Sequence, residues 1–157
     1  MDFRIPLYKL KLVRERWVVC DFLCVDSPQI AALFLYRLIG QADREHSAAL
    51  FLDVHRKPTG ASILGIGSLT SAEMPAREVF KAALLANAHQ VIVAHNHPSG
   101  DPDPSAADLA LTRRLTEAGK LLGIPLFDHI IVSPNGSFAS LREGALDDGQ
   151  SYAPPVS

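Results

Sequence analysis

The stretch from Gln90 to Leu122 limits the fold of this chain more than any other. Gln90 to His95 is an apolar run of strand length. It stops at His97-Pro98, and Gly100-Asp101-Pro102-Asp103-Pro104 then forces a loop, because proline fixes φ and has no N–H to donate. Ser105 restarts the chain as a helix N-cap, and Leu111, Leu115, Ala118 and Leu122 fall on one helical face.

The same alternation runs in both directions. Ser27-Pro28 opens a helix through Leu38-Ile39 that stops at Gly40. Ala48 to Val54 reads as a buried strand and Ser62 to Ser68 as a second, weakened by Gly65 and Gly67. Pro75 opens a helix to about Ala88, Leu126 to Val132 is a strand, and Pro134-Asn135-Gly136 is a turn. Near the start, Tyr8, Leu10 and Leu12 alternate with Lys9 and Lys11, the pattern of a half-exposed strand, with Trp17 to Cys20 returning beside it. Strands interleaved with helices predict an α/β fold, and 157 residues suit one domain.

Bulk properties exclude several classes. No stretch approaches the roughly 18 apolar residues of a membrane helix, and the charged, Pro6-containing start does not read as a secretory leader. A cytoplasmic protein without a membrane role is the expectation. Cys20 and Cys24 have no second pair to complete a four-cysteine zinc site, so two buried thiols are expected. A net charge of -2 argues against an electrostatic DNA clamp. Residues 1–16 are nevertheless net +3 and residues 143–157 net -3. A solvated edge strand is the commoner meaning of the basic run, though it is also a surface that DNA could meet.

The chemistry is concentrated in His95-Asn96-His97 and the helix start beyond it. Residues i and i+2 on a strand share a face, and about 6–7 Å of backbone separates them. Two imidazoles so placed can converge on one ion through bonds of about 2 Å. The loop can bring Asp108, in the first turn of the next helix, over both rings. Two histidines and a carboxylate leave the fourth tetrahedral position open, as in catalytic zinc sites. Alone, an H-x-H pair is more often structural, and Ser105-x-x-Asp108 is more often a helix cap. Their combination across a turn-rich loop is much rarer by chance. H-E-x-x-H, the H-x-E with P-C-x-x-C of zinc deaminases, and G-x-S-x-G are all absent.

The segment resembles the H-x-H-x7-S-x2-D pattern of the JAMM (MPN+/JAB) metalloproteases at every fixed position. His-Asn-His-Pro-Ser-Gly with Pro104-Ser105 and Asp108 is similar to the RadC branch of that superfamily. So are Arg77-Glu78-Val79-Phe80, Leu111-Thr112, Gly123-Ile124, Asp128-His129-Ile130-Ile131-Val132 and Ser140-Leu141-Arg142-Glu143. The resemblance implies a single JAB/MPN-like domain, a mixed central β-sheet flanked by helices. Residues 42–144 would form the RadC-like core, residues 1–41 would add N-terminal strands and a helix to it, and residues 145–157 would be a disordered tail. Pro75-Ala76 stands where RadC-like proteins usually carry His-Pro. The stretch before Asp43 does not resemble the helix-hairpin-helix of larger RadC proteins, which weakens the case for DNA binding by that route.

The resemblance also implies a zinc-dependent peptidase or isopeptidase acting through an activated water. His95, His97 and Asp108 would hold Zn2+. Glu45, before the Ala48–Val54 strand, would be the general base, with Glu73 and Glu78 as competitors. Ser105 would hydrogen-bond the water or the oxyanion. A peptide or ubiquitin-like protein would be the substrate. The alternative is a non-catalytic metal-binding MPN module with a DNA-repair or protein-binding role. MPN domains often dimerise, so a homodimer paired through the Tyr8–Val13 edge is a further expectation. Asp128 is a candidate to orient a ligating imidazole from behind. His129, the next residue along, should face the other way. His46, His55 and His89 have no partner pattern.

Overall fold

A computed structural model describes residues 1–67 and 74–142. The element order is α1 (Pro28–Leu35), a π-helical continuation (Tyr36–Gly40), β1 (His46–Leu52), β2 (Pro58–Ile66), α2 (Ala76–Leu85), β3 (Gln90–Asn96), α3 (Ala106–Leu122), β4 (Leu126–Val132) and β5 (Phe138–Ser140). The five strands form one sheet in the order β2-β1-β3-β4-β5. Only β3 and β4 pair in parallel; the other three pairings are antiparallel. The sheet is therefore mixed, and α3 supplies the crossover that a parallel pair requires.

Both faces of the sheet are covered, which explains the nearly unbroken apolar runs of β1, β3 and β4. Ala48, Leu50, Ile92, Ala94 and Ile130 face one way, into a core completed by Phe34, Leu35 and Ile39 of the first helical segment. Ala49, Phe51, Val91 and Val93 face the other way, against Val79 and Phe80 of α2 and Leu115 of α3. Strand β2 starts at Pro58, earlier than the expected Ser62. The Asp53 carboxylate explains this: it accepts the N–H groups of His55 (2.8 Å) and Lys57 (2.9 Å) and closes a tight hairpin. As an edge strand, β2 tolerates Pro58 and Gly60.

The expected strands over Tyr8–Val13 and Trp17–Cys20 do not form. Residues 1–26 carry neither helix nor strand, and Tyr8, Leu10, Trp17 and Val19 are exposed. Alternation creates only the potential for a strand, and an isolated hairpin without a sheet to join is marginal in water. The chain joins the domain at Phe22, whose ring meets Phe34 edge-on at 5.9 Å, and at buried Val25, whose N–H bonds the Arg56 carbonyl. Cys20 and Cys24 are free thiols, as expected, but not buried ones: Cys20 is exposed and Cys24 half-buried, because this segment has little to pack on. The tail expected over residues 145–157 and the competitor Glu73 lie outside the described residues.

Two glycines explain how α3 returns into β4. Helix α3 ends on Gly123 in the left-handed conformation (φ +71°), and Gly119, one turn earlier, lies against the returning chain. A Cβ on Gly119 would sit 2.6 Å from the Ile124 carbonyl oxygen and 3.1 Å from the Leu126 nitrogen. Backbone cannot yield as a side chain can. Gly119→Ala is therefore expected to destabilise the domain by about 1–3 kcal/mol despite alanine's better helix propensity. Denaturant melts of the two proteins check this; an unchanged or higher midpoint contradicts the packing described.

Candidate metal centre

Strand β3 and the first turn of α3 build the site. His95 ends the face of β3 that carries Val91 and Val93, beneath α3, and is 3% exposed. His97 lies just past the strand, where its N–H bonds the Val132 carbonyl at 2.8 Å. The Nε2 atoms of His95 and His97 are 3.0 Å apart. Asp108 completes the triangle, with Oδ1 3.1 Å from His95 Nε2 and Oδ2 3.4 Å from His97 Nε2. Ligands at about 2.0–2.1 Å from a tetrahedral zinc are separated by about 3.3 Å, so the three edges match that spacing.

Asp108 is held by its own helix start. Its Oδ2 accepts the backbone N–H of Ser105 (2.8 Å) and the Ser105 hydroxyl (2.8 Å), while Ser105 Oγ accepts the Asp108 N–H (3.1 Å). This is a capping box with aspartate in the usual glutamate position. The helix-cap reading of Ser105-x-x-Asp108 is thus observed, and the same geometry is compatible with the ligand reading. Ser105 has one hydroxyl proton, and here it goes to the carboxylate.

Hydrogen bonds behind the rings decide which nitrogens face the centre. His97 Nδ1 lies 2.9 Å from the Asp101 carbonyl, which can only accept, so this nitrogen carries the proton. The Asp101 carbonyl is brought there by the proline-rich loop after Gly100 (φ +94°). His95 Nδ1 lies 2.9 Å from Nε2 of His129, and His129 Nδ1 lies 2.8 Å from Thr112 Oγ1. His129 is fully buried; burial and the neighbouring His95 lower its pKa to about 3, so it is neutral.

The electrostatics of the triangle follow. Burial pushes the Asp108 carboxyl upward, but the two imidazoles beside it prevail and hold it well below the usual carboxylate range. The contact with Asp108 raises His97 above the ordinary histidine value, against the opposing effect of burial. Acceptor atoms converging at 3.0–3.4 Å need a cation between them, either a proton or a metal ion. The donor set of two imidazole nitrogens and a carboxylate oxygen is one that suits zinc.

Glu45 reaches the same centre from the loop before β1. Its Oε1 is 3.9 Å from His95 Nε2, its side chain is 12% exposed, and Glu45, His95 and His97 form a group whose ligand atoms lie within 4.8 Å of one another. The loop is tied down by Asn96, the residue between the two histidines. Asn96 Oδ1 accepts the His46 N–H at 2.6 Å, and Nδ2 donates to the carbonyls of Arg44 (3.1 Å) and, more weakly, Ala42 (3.5 Å). Both neighbours of Glu45 are thus fastened to β3 by one buried side chain. Glu78 is elsewhere, pairing with Lys81 at 2.6 Å.

The structure thus brings Glu45, His95, His97, Ser105 and Asp108 together. It corrects the reading of β4. Asp128 does not orient an imidazole: its Oδ2 accepts from Ser140 at 2.7 Å, its Oδ1 is buried without a hydrogen-bond partner among the described residues, and burial pushes its pKa up to about 6. His129 is the residue behind His95. In the parallel pairing it lies opposite Val93, two positions before the Ile131 that pairs with His95, so it shares their face. Asn96 and Thr112 were also missed. Their signal was faint: polar residues at positions that the periodicity of β3 and α3 marks as buried.

Comparison with known proteins agrees with this geometry. Residues 25–146 match the family model described as the RadC-like JAB domain. The chain is 42% identical over 119 residues to the UPF0758 protein tlr1707 of Thermosynechococcus vestitus, covering 76% of this chain and 47% of that one. It is 40% identical over 122 residues to a UPF0758 protein of Desulfitobacterium hafniense (78% and 53% of the two chains), and 44% identical over 109 residues to one of Methanococcoides burtonii (69% and 47%). The chain spans about half the length of the curated relatives it matches. Among the described residues no helix is long and apolar enough to cross a membrane. With a match over most of its length and a mixed five-stranded sheet carrying the histidine pair, the chain belongs to the RadC-like JAB domain family.

Proposed function

We propose that this domain is a zinc-dependent amide hydrolase of the JAMM type, acting on a peptide or isopeptide bond. One observation carries the reading: two imidazole nitrogens and a carboxylate oxygen converge at 3.0–3.4 Å, each ring held by a hydrogen bond from behind. His95, His97 and Asp108 would hold the ion. Zinc supplies Lewis acidity, which brings the pKa of a bound water to about 7 and polarises a carbonyl.

The remaining work falls to the chain. Glu45, nearly buried and facing the imidazoles, takes a proton from the attacking water and delivers it to the leaving amine. Asn96 keeps that carboxylate from drifting by fixing the backbone on both sides of it. Ser105 orients Asp108, and by turning its hydroxyl it can donate to the developing oxyanion.

Purified protein is expected to carry about one zinc per chain, measured by elemental analysis. It is expected to cleave ubiquitin-like fusions or generic peptides in a way that chelation stops and zinc restores. Protein that takes up no metal after zinc supplementation sinks the reading. Protein that binds zinc but cleaves no amide reduces it to a metal-binding module.

A further inference from the structure

We propose that His129 and Thr112 are positioning residues of the metal centre, forming a hydrogen-bonded chain that closes from one ligand to another and dictates which His95 nitrogen faces the ion. The inference rests on the proposed ligand set and adds to it a polar layer between β4 and α3.

The direction of every bond in the chain follows from its end. Thr112 Oγ1 lies 2.8 Å from the Asp108 carbonyl oxygen, which can only accept, so the threonine hydroxyl donates there. With its proton so placed, Thr112 Oγ1 accepts from His129 Nδ1 at 2.8 Å. A neutral imidazole has one donor and one acceptor, so His129 Nε2 accepts. Its partner at 2.9 Å is His95 Nδ1, which must donate. The lone pair of His95 is thereby left on Nε2, the atom beside Asp108 and His97. The chain thus leaves from the backbone of Asp108 and returns, through Thr112, His129 and His95, to the Asp108 side chain.

Burial gives this chain its force. His129 is 0% exposed, Thr112 2% and His95 3%, so no water competes for these bonds. A lost partner would leave a polar atom stranded in the core. A reversed chain would put a proton on His95 Nε2 and set two oxygen lone pairs against each other at 2.8 Å between Thr112 and Asp108. An imidazole is an unusual choice for this place, where a ligating histidine more often meets a carboxylate or backbone carbonyl. Neutral His129 passes on the acceptor requirement without adding charge to the core.

The test is a zinc and cobalt(II) titration of the whole chain, with circular dichroism on each variant to confirm folding. Wild type and His97→Ala test the ligand set itself: if wild type binds no metal, or His97→Ala binds as tightly as wild type, the underlying reading fails. Given those controls, Thr112→Val, close in volume and without a hydroxyl, is expected to weaken metal binding about 10-fold, with His129→Leu weaker still, by up to about 100-fold. Thr112→Ser should restore wild-type affinity, and His129→Gln, whose carbonyl can accept from His95, should recover part of the loss. Nitrogen shifts of metal-free protein should show His95 protonated at Nδ1 in wild type and Thr112→Ser, but at Nε2 or mixed in Thr112→Val. Thr112→Val with unchanged affinity, cobalt spectrum and His95 tautomer overturns the proposal, even if His129→Leu fails to fold.

Discussion

Glu45→Gln is expected to bind zinc about as tightly as wild type and to hydrolyse amides about 10²–10⁴-fold more slowly, the usual worth of a positioned general base. The substitution changes little but charge and proton affinity. Gln keeps the length of the side chain, and the Asn96 bonds to the flanking backbone do not involve the carboxylate. Metal retention is the discriminating half of the prediction. Glu45 Oε1 is 3.9 Å from His95 Nε2, whereas Asp108 Oδ1 is 3.1 Å away, which places Glu45 one step back from the triangle of His95, His97 and Asp108. It is still close enough that a small shift would make it a fourth ligand. Elemental analysis and turnover of the variant separate the two roles. Full zinc with lost turnover identifies a base. Lost zinc identifies a ligand, and then the open position needed for water is gone. Full zinc with wild-type turnover removes Glu45 from the chemistry.

The convergence of His95, His97 and Asp108 was legible in the sequence because its parts are local. His95 and His97 are two apart on a strand, and Asp108 is three residues into a helix whose start is marked by Pro104-Ser105. Spacing and secondary structure together imply convergence. The residues behind the triangle were not legible for the opposite reason. Which face of β4 lies under α3 depends on its pairing with β3, and that register carries an irregularity between Val91 and Ile92. Strand β4 is buried on both faces, so alternation does not reveal which residues face the histidines. Asp128 and His129 were thus given opposite faces correctly, with the site placed on the wrong one. Asn96 was hidden similarly, since its partners lie some fifty residues away in a loop whose path no local pattern reports. The N-terminal strands illustrate the converse error. Tyr8 to Leu12 has strand periodicity, but periodicity is satisfied only when a sheet edge offers partners, and none among the described residues pairs with it.

Asp108→Asn is expected to abolish metal binding at micromolar zinc while leaving the fold intact, and the comparison with Asp108→Ala separates the two roles of this residue. Asp108 bridges the site and the helix: Oδ1 approaches His95, while Oδ2 approaches His97 and accepts from Ser105. Structural zinc sites with four ligands have apparent binding energies of about 10–16 kcal/mol, so one ligand is worth roughly 3–4 kcal/mol, or about 10²–10³ in affinity. Removing the only negative charge from the triangle should reach at least that. Asparagine can still accept the Ser105 N–H, so Asp108→Asn should melt within about 1 kcal/mol of metal-free wild type. Alanine removes the cap as well, and Asp108→Ala should lose a further 0.5–2 kcal/mol or so. Zinc titration and thermal melts of metal-free protein read the two effects independently. If Asp108→Asn binds zinc within tenfold of wild type, the ion is held without this carboxylate and the ligand set must be redrawn around Glu45, His95 and His97. If instead both variants lose zinc and melt together, Asp108 is a ligand whose capping bonds contribute nothing to the fold, and the approach of α3 to the sheet is maintained by its other contacts, the packing of Leu115 and Gly119 and the Thr112–His129 hydrogen bond among them.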